Sequence, residues 1–257
     1  MLWPRRAFCR PLSSTSVSML SVLLSSLFAC SLWADQPIII AAASDLAPLE
    51  KQMRALVPGQ ELKFVFGSSG QLAAQIRAGA PFDVFLSADL SLVRQLETEG
   101  RLVVGSARAY ARGRLALYSK SGQTDLAKAR TIAIANPAHA PYGVAARQML
   151  QARPDWAAIS GKIVYAENVR QALQFAESGN ADAALVAWSL VKDKPGAVLL
   201  PESSHAPIVQ GLGVVRGKAA DADRTARAIL FVDALMSKPD QAALREGGFG
   251  VGRDSGK

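Results

Sequence analysis

Apolar runs alternate with amphipathic segments along the first part of the chain. Short runs typical of buried strands lie at residues 38–42, 61–66 and 83–86, and each precedes a stretch with helical apolar spacing. The expected inward positions of these helices are Leu46, Leu49, Met53 and Leu56, then Leu72, Ala73 and Ile76, then Leu90, Val93 and Leu96. Strands that alternate with helices predict a mostly parallel sheet covered by helices.

The same rhythm returns after an interruption at residues 115–118. Strands are expected at 131–135, 163–165 and 183–186, helices at 144–151 and 169–177, and a final apolar run covers 208–215 before one more helix. We therefore expect an α/β protein with two parallel-sheet lobes, joined by a two-strand hinge near 112–120 and 206–215. The predicted segments are 35–112 for lobe 1, 113–212 for lobe 2 and 213–257 for the return to lobe 1. A cleft between two such lobes suits a small ligand.

Residues 1–34 have the pattern of a secretory signal. Three arginines and no acidic residue precede an apolar stretch at 17–32, and small residues follow. We expect cleavage after Ala34 and export to the periplasm. Cys30 as a lipidated first residue and Arg5-Arg6 as a twin-arginine signal remain alternatives. The stretch is shorter than the ~20 apolar residues of a spanning helix, which disfavours a permanent anchor.

Removal of this leader changes the charge and the available chemistry. The number of basic residues falls from 29 to 26 against 21 acidic residues, so the formal net charge falls from +8 to +5. Both cysteines, Cys9 and Cys30, also leave. No basic run interleaved with aromatic residues indicates nucleic-acid binding. Only His139 and His205 remain as histidines, so neither a metal site built from side chains nor a cofactor is expected.

Catalytic motifs do not favour an enzyme. No His-Glu-x-x-His motif or Walker loop occurs. Ser189 and Lys192 match the spacing S-x-x-K, but the partner motifs of penicillin-binding enzymes are absent. A ligand-sensing domain of a transcriptional regulator would need a DNA-binding helix pair, which the pattern does not contain. The sequence therefore favours a binding protein.

Four predicted strand-to-helix junctions carry neutral hydrogen-bond donors. They lie at 42–45, 66–70, 140–143 and 167–169, where helix starts offer unpaired backbone N–H groups. Ser44, Ser69 and Tyr142 add hydroxyl groups, no junction holds a cation, and Asp45 is acidic. Helix starts that converge at one point predict an anion site. Ordinary N-caps at the serines and a simple turn at Gly67–Gly70 are the alternatives.

The same junctions resemble the periplasmic molybdate-binding proteins of ABC importers. The similar stretches run in order from about residue 38 to 251: 41–44 (AAAS), 67–70 (GSSG), 78–89 (AGAPFDVFLSAD), 136–143 (NPAHAPYG), 167–173 (ENVRQAL), 178–183 (SGNADA) and 248–250 (GFG). The resemblance implies ligand contacts at Ser44, Ser69, Tyr142 and Val169, the last through its backbone. Ala187 stands where many members have a tyrosine, so it is only a possible further contact.

This resemblance also implies a function. It implies a monomeric solute-binding protein that captures molybdate or tungstate and delivers it to the membrane permease of an ABC importer. Both ions are tetrahedral dianions, and a rigid ring of neutral donors selects an anion by size, because a smaller anion leaves donors unpaired. A binder of another oxyanion, such as sulfate or phosphate, is the alternative.

Overall fold

The computed structural model describes residues 36–217 and 222–251, and two β-sheets organise this part of the chain. The first sheet has the strand order β11-β4-β10-β3-β1-β2. Its strands are β1 Ile38–Ala43, β2 Leu62–Gly67, β3 Val84–Ser87, β4 Arg108–Gly113, β10 Ile208–Val214 and β11 Gly250–Val251. The second sheet has the order β7-β6-β8-β5-β9. Its strands are β5 Leu115–Tyr118, β6 Ile132–Ala135, β7 Ile163–Ala166, β8 Ala183–Ala187 and β9 Ala197–Leu199.

Helices follow most of the strands, as the sequence pattern predicts. The α-helices are α1 Glu50–Ala55, α2 Ser69–Arg77, α3 Leu90–Thr98, α4 Pro141–Gln151, α5 Trp156–Ile159, α6 Val169–Ser178, α7 Trp188–Val191, α8 Ala222–Leu235 and α9 Lys238–Glu246. Short 3-10 helices cover Ser44–Leu49, Ser160–Lys162 and Glu202–Ser204. The first of these contains Pro48, and it replaces the start of the α-helix expected after β1.

Both sheets are mixed, which corrects the expectation of parallel sheets. β1 pairs in parallel with β2 and β3, and β6 pairs in parallel with β7 and β8. β10 is antiparallel to β3 and β4, and β5 is antiparallel to β8 and β9. The reason is the route of the chain: β4 leads out of the first sheet and β10 leads back in, so these two neighbours run in opposite directions.

Two crossings connect the sheets, and together with the helices on each sheet they form the expected two-lobed fold. Arg114 alone separates β4 from β5, and residues 200–207 connect β9 to β10. The whole of β10, from Ile208 to Val214, belongs to the first sheet, whereas the sequence analysis placed its first residues in lobe 2. The other segment boundaries stay predictions.

Buried side chains cover both faces of the first sheet and pack against the second. In β1, Ile38, Ile40 and Ala42 belong to one apolar cluster, and Ala41 belongs to the cluster on the opposite face. This division follows from the two-residue period of a strand. The third cluster is built on β5, β6 and β8 and includes Ala43 and Ala88 from the first sheet. The carboxyl ends of β1 and β3 therefore lie against the second lobe.

The expected signal segment, with Cys30 and Ala34, lies outside the described residues. Within 36–217 and 222–251, no helix combines the length and the apolar character needed to cross a membrane.

Candidate functional site

The four predicted junctions line one cleft between the two sheets. Three lining segments follow strands of the first sheet, and two begin helices of the second lobe. The lining residues are Ala43, Ser44, Asp45, Gly67, Ser68, Ser69, Ala88, Ala140, Pro141, Tyr142, Asn168 and Val169. The structure thus brings together Ser44, Ser69, Tyr142 and Val169, each at most 5% exposed.

Neither predicted serine caps its own helix. The Ser44 hydroxyl donates a hydrogen bond to the Gly67 carbonyl at 3.0 Å. The Ser69 hydroxyl oxygen accepts a hydrogen bond from the Ala88 N–H at 2.9 Å, from the end of β3. Because Ser69 accepts in this bond, its own hydroxyl proton remains to be donated. The capping interpretation is therefore wrong for both residues, and the two hydroxyls are not equivalent.

The start of α6 presents a backbone donor at Val169. The side chain of Asn168 accepts from the N–H groups of Arg170 and Gln171, at 3.1 and 3.0 Å. This cap leaves the N–H of Val169, the first residue of the helix, to another acceptor. Val169 lines the cleft and belongs to the apolar cluster of the second lobe, so its backbone N–H is the polar group that it can offer to a ligand.

Tyr142 and Asp45 join the two lobes through a buried hydrogen-bond network. The Tyr142 hydroxyl donates to Asp45 Oδ2 at 3.0 Å. Gln210 Nε2, from β10, also donates to Asp45 Oδ2, and Tyr110 donates to Gln210 Oε1 at 2.5 Å. Ser189, from α7, donates to the backbone carbonyl of Asp45 at 2.7 Å. The phenol of Tyr142 is therefore held in place by groups of the first lobe.

Burial dominates the electrostatics of this network. Asp45 is completely buried, and burial raises its pKa to about 6, although hydrogen bonds from Gln210 and Tyr142 offset part of the rise. Burial, followed by the charge of Asp45, raises the pKa of Tyr142 well above its ordinary value, so the phenol keeps its proton. The second carboxyl oxygen of Asp45, Oδ1, has no hydrogen-bond partner among the described residues.

The lining contains no lysine, arginine or histidine, and Asp45 is its one ionisable carboxyl. An anion in the cleft would be held by hydroxyl and backbone dipoles. Across residues 36–217 and 222–251, histidine, cysteine, aspartate and glutamate form no group of three or more that could hold a metal ion.

Ala187 lies outside the set of residues that line the cleft. It is fully buried at the end of β8, pairs with Leu115 of β5, and is not among the residues that line the cleft. A ligand contact at Ala187 therefore stays a prediction. The methyl group of Ala187 packs in the core of the second lobe.

The lobes also meet at His139, which the sequence analysis did not assign to the site. The Gly70 N–H donates to the His139 carbonyl at 2.9 Å, and the Ser68 hydroxyl is 2.9 Å from His139 Nδ1. A Cβ atom on Gly70 would lie 2.7 Å from that carbonyl oxygen. The glycine is therefore required for this close approach, and its N–H serves the contact between the lobes.

Sequence reasoning also missed Gln210 and Tyr110. They lie 165 and 65 positions from Asp45, on strands whose apolar pattern gives no indication of a polar network. Only the pairing of β10 with β4 brings them together.

Comparison with known proteins shows the family to which the chain is similar. Residues 38–250 match the family described as bacterial extracellular solute-binding protein. The chain is 34% identical over 227 residues to the molybdate-binding protein of Rhodobacter capsulatus, covering 82% of this chain and 87% of that protein. It is 38% identical over 189 residues to the molybdate-binding protein of Azotobacter vinelandii, covering 69% of this chain and 75% of that protein.

A solved structure gives the same relationship. The periplasmic molybdate-binding protein of Azotobacter vinelandii superposes with a TM-score of 0.74 at 29% identity, covering 85% of this chain and all of that one.

Proposed function

The chain belongs to the family of bacterial extracellular solute-binding proteins, and from that premise we propose that it captures molybdate and delivers it to the permease of an ABC importer. Tungstate, which has the same shape and charge, is the second proposed ligand. The proposed location is the periplasm, reached after removal of a signal segment near Ala34. The proposed partner is the membrane permease, and the protein acts as a monomer that binds without catalysis.

The observation that carries this proposal is the convergence of neutral donors in one cleft. Ser69 has a hydroxyl proton to donate, and Val169 offers the first N–H of a ten-residue helix. The start of α4 adds Tyr142. Donors at helix starts stabilise a dianion without a cation, because their dipoles point toward it.

Two of the proposed contacts require a rearrangement of hydrogen bonds. The Ser44 proton is directed to Gly67, and the Tyr142 proton is directed to Asp45. Each hydroxyl has one proton, so it donates to an anion only after it leaves its present acceptor. Ser69 and Val169 need no such change, and we assign them the larger share of the binding free energy.

Closure of the two lobes over the anion provides the signal for delivery. The cleft residues come from both lobes, so an anion that contacts them stabilises the closed arrangement. The permease then meets the closed surface only when ligand is present.

A thermal-melt series tests the proposal. Ligand-stripped protein is melted with molybdate, tungstate, sulfate or phosphate at equal concentrations. At a hundredfold excess over Kd, a bound anion adds about 2.7 kcal/mol to the free energy of unfolding, which raises Tm by roughly 5–11 °C. Molybdate and tungstate are expected to give this shift and sulfate and phosphate a much smaller one. An equal shift with sulfate would favour the general oxyanion binder.

A further inference from the structure

Asp45 is an unusual residue for the wall of an anion site. It lies directly after Ser44, it lines the cleft, and its side chain is completely buried. An ionised carboxylate there would repel a dianion at short range in a medium of low dielectric constant. The negative charge of Asp45 and the proposed ligand therefore cannot both be accommodated without a large cost.

The network around Asp45 determines which of its oxygens can carry a proton. Oδ2 accepts from both Gln210 Nε2 and the Tyr142 hydroxyl. The Gln210 amide is oriented by Tyr110, which donates to its oxygen at 2.5 Å. Oδ2 is thus occupied as an acceptor, and Oδ1, buried and without a partner among the described residues, is left for the proton.

The groups that face Asp45 do not supply a compensating positive charge. Tyr142 faces it from α4 and Tyr110 faces it from β4 through Gln210, and both phenols have a raised pKa and stay neutral. Ser189 faces its backbone from α7. The charged residues on the other elements packed against its 3-10 helix are exposed or half-buried at the surface: Glu50, Lys51, Arg54, Lys63, Arg170 and Glu177.

We propose that Asp45 takes up one proton from solvent when a tetrahedral dianion enters the cleft, and that its Oδ1–H then donates a hydrogen bond to an anion oxygen. This inference rests on the proposed function, since it requires a dianion in the cleft. Uptake of the proton removes the charge repulsion and adds a donor in the same step. Asp45 would then admit a fully ionised anion only together with a proton.

The pH dependence of binding follows from this linkage. Below pH about 6 the ligand-free carboxyl already holds its proton, so affinity is constant with pH. Above that pH the proton must be taken from solvent, and affinity falls by about tenfold for each pH unit. Between pH 7 and pH 8.5 the Kd for molybdate is therefore expected to rise by about thirtyfold.

Asp45→Asn tests this pH dependence, because it replaces the carboxyl by an uncharged amide of similar size. The asparagine keeps an acceptor for Gln210 and Tyr142 and carries a permanent donor in place of the protonated oxygen. It is expected to bind molybdate with an affinity that does not change between pH 6 and pH 8.5, and more tightly than the parent chain at pH 8.5. If the Kd for molybdate changes equally with pH in the parent chain and in Asp45→Asn, the assignment of the bound proton to Asp45 is overturned.

Calorimetry of the parent chain gives a test that needs no variant. Molybdate is titrated at pH 7.5 in two buffers that differ in ionisation enthalpy, and the difference in heat gives the number of protons bound. We expect about one proton for the parent. Binding without proton uptake would overturn this inference and leave the proposed function intact. If molybdate does not bind, the titration is repeated with sulfate. Failure of both anions to bind would overturn the inference together with the proposed function.

Discussion

The substitution Gly70→Ala is expected to weaken ligand binding by hindering closure of the two lobes, without lowering the stability of the fold. Gly70 is the second residue of α2, and its N–H donates to the His139 carbonyl of the other lobe at 2.9 Å. A Cβ atom there would lie 2.7 Å from the His139 carbonyl oxygen and 2.9 Å from its Cα. Both are backbone atoms, so the clash is relieved only if the two segments move apart.

The size of the effect follows from these distances. Ordinary van der Waals contact begins at 3.4 Å, so the lobes must separate by about 0.7 Å at this point. The hydrogen bond that Gly70 N–H donates then lengthens to about 3.6 Å and is lost, and the hydrogen bond between the Ser68 hydroxyl and His139 Nδ1 is weakened. Two neutral hydrogen bonds contribute about 1–3 kcal/mol together, so the Kd for molybdate is expected to rise by roughly 5- to 150-fold.

The fold itself is expected to tolerate the change. Gly70 has no positive φ, and alanine is more favourable than glycine within a helix by about 0.5–1 kcal/mol. Without ligand the two lobes can open and relieve the clash, so the Tm of the ligand-free variant should stay close to that of the parent while its affinity falls. Gly161→Ala is the matched control, since a Cβ there meets no atom within 4 Å. Calorimetric affinity equal to that of the parent in Gly70→Ala would refute a role for the His139 contact in closure.

Two further predictions concern the hydroxyl groups of the cleft. Ser69→Ala should weaken molybdate binding by roughly ten- to a hundredfold, because a hydrogen bond to a charged group contributes about 1.5–3 kcal/mol. Ser44→Ala should weaken molybdate binding less, because the Ser44 proton is directed to the Gly67 carbonyl. A larger loss in Ser44→Ala, measured by calorimetry, would reverse our assignment of the stronger donor. Tyr142→Phe should also raise the Kd for molybdate by roughly ten- to a hundredfold. In addition, it should lower the free energy of unfolding by about 1–3 kcal/mol, because the buried carboxyl of Asp45 loses a hydrogen-bond donor. Denaturant melts and titrations separate the two effects, and an unchanged affinity with a lowered stability would assign the phenol to Asp45 alone.

Much of the fold was predictable because local patterns determine it. The apolar runs at 38–42, 131–135 and 183–186 correspond to β1, β6 and β8, and the residues after them begin helices. Strand direction was not predictable to the same extent. The antiparallel β4 and β10 depend on where the chain leaves and re-enters the first sheet, and no residue in either strand encodes that direction.

The candidate site was likewise predictable only in part. The approach of Ser44, Ser69, Tyr142 and Val169 to one cleft was predictable, because each stands at a strand-to-helix junction and such junctions meet at one edge of a sheet. The orientation of their protons was not predictable, since it depends on distant partners such as Ala88 for Ser69. The contact at Ala187 stays a prediction, and the structure places this residue in the core at the end of β8.

The most direct test of the central claim is a calorimetric titration of ligand-stripped protein with molybdate, followed by the same titration in the presence of excess sulfate. We expect one molybdate per chain, with an affinity that excess sulfate leaves nearly unchanged, because the ring of neutral donors matches the larger dianion. Loss of the molybdate signal in sulfate, or a stoichiometry other than one, would contradict the account of the cleft as a selective molybdate site.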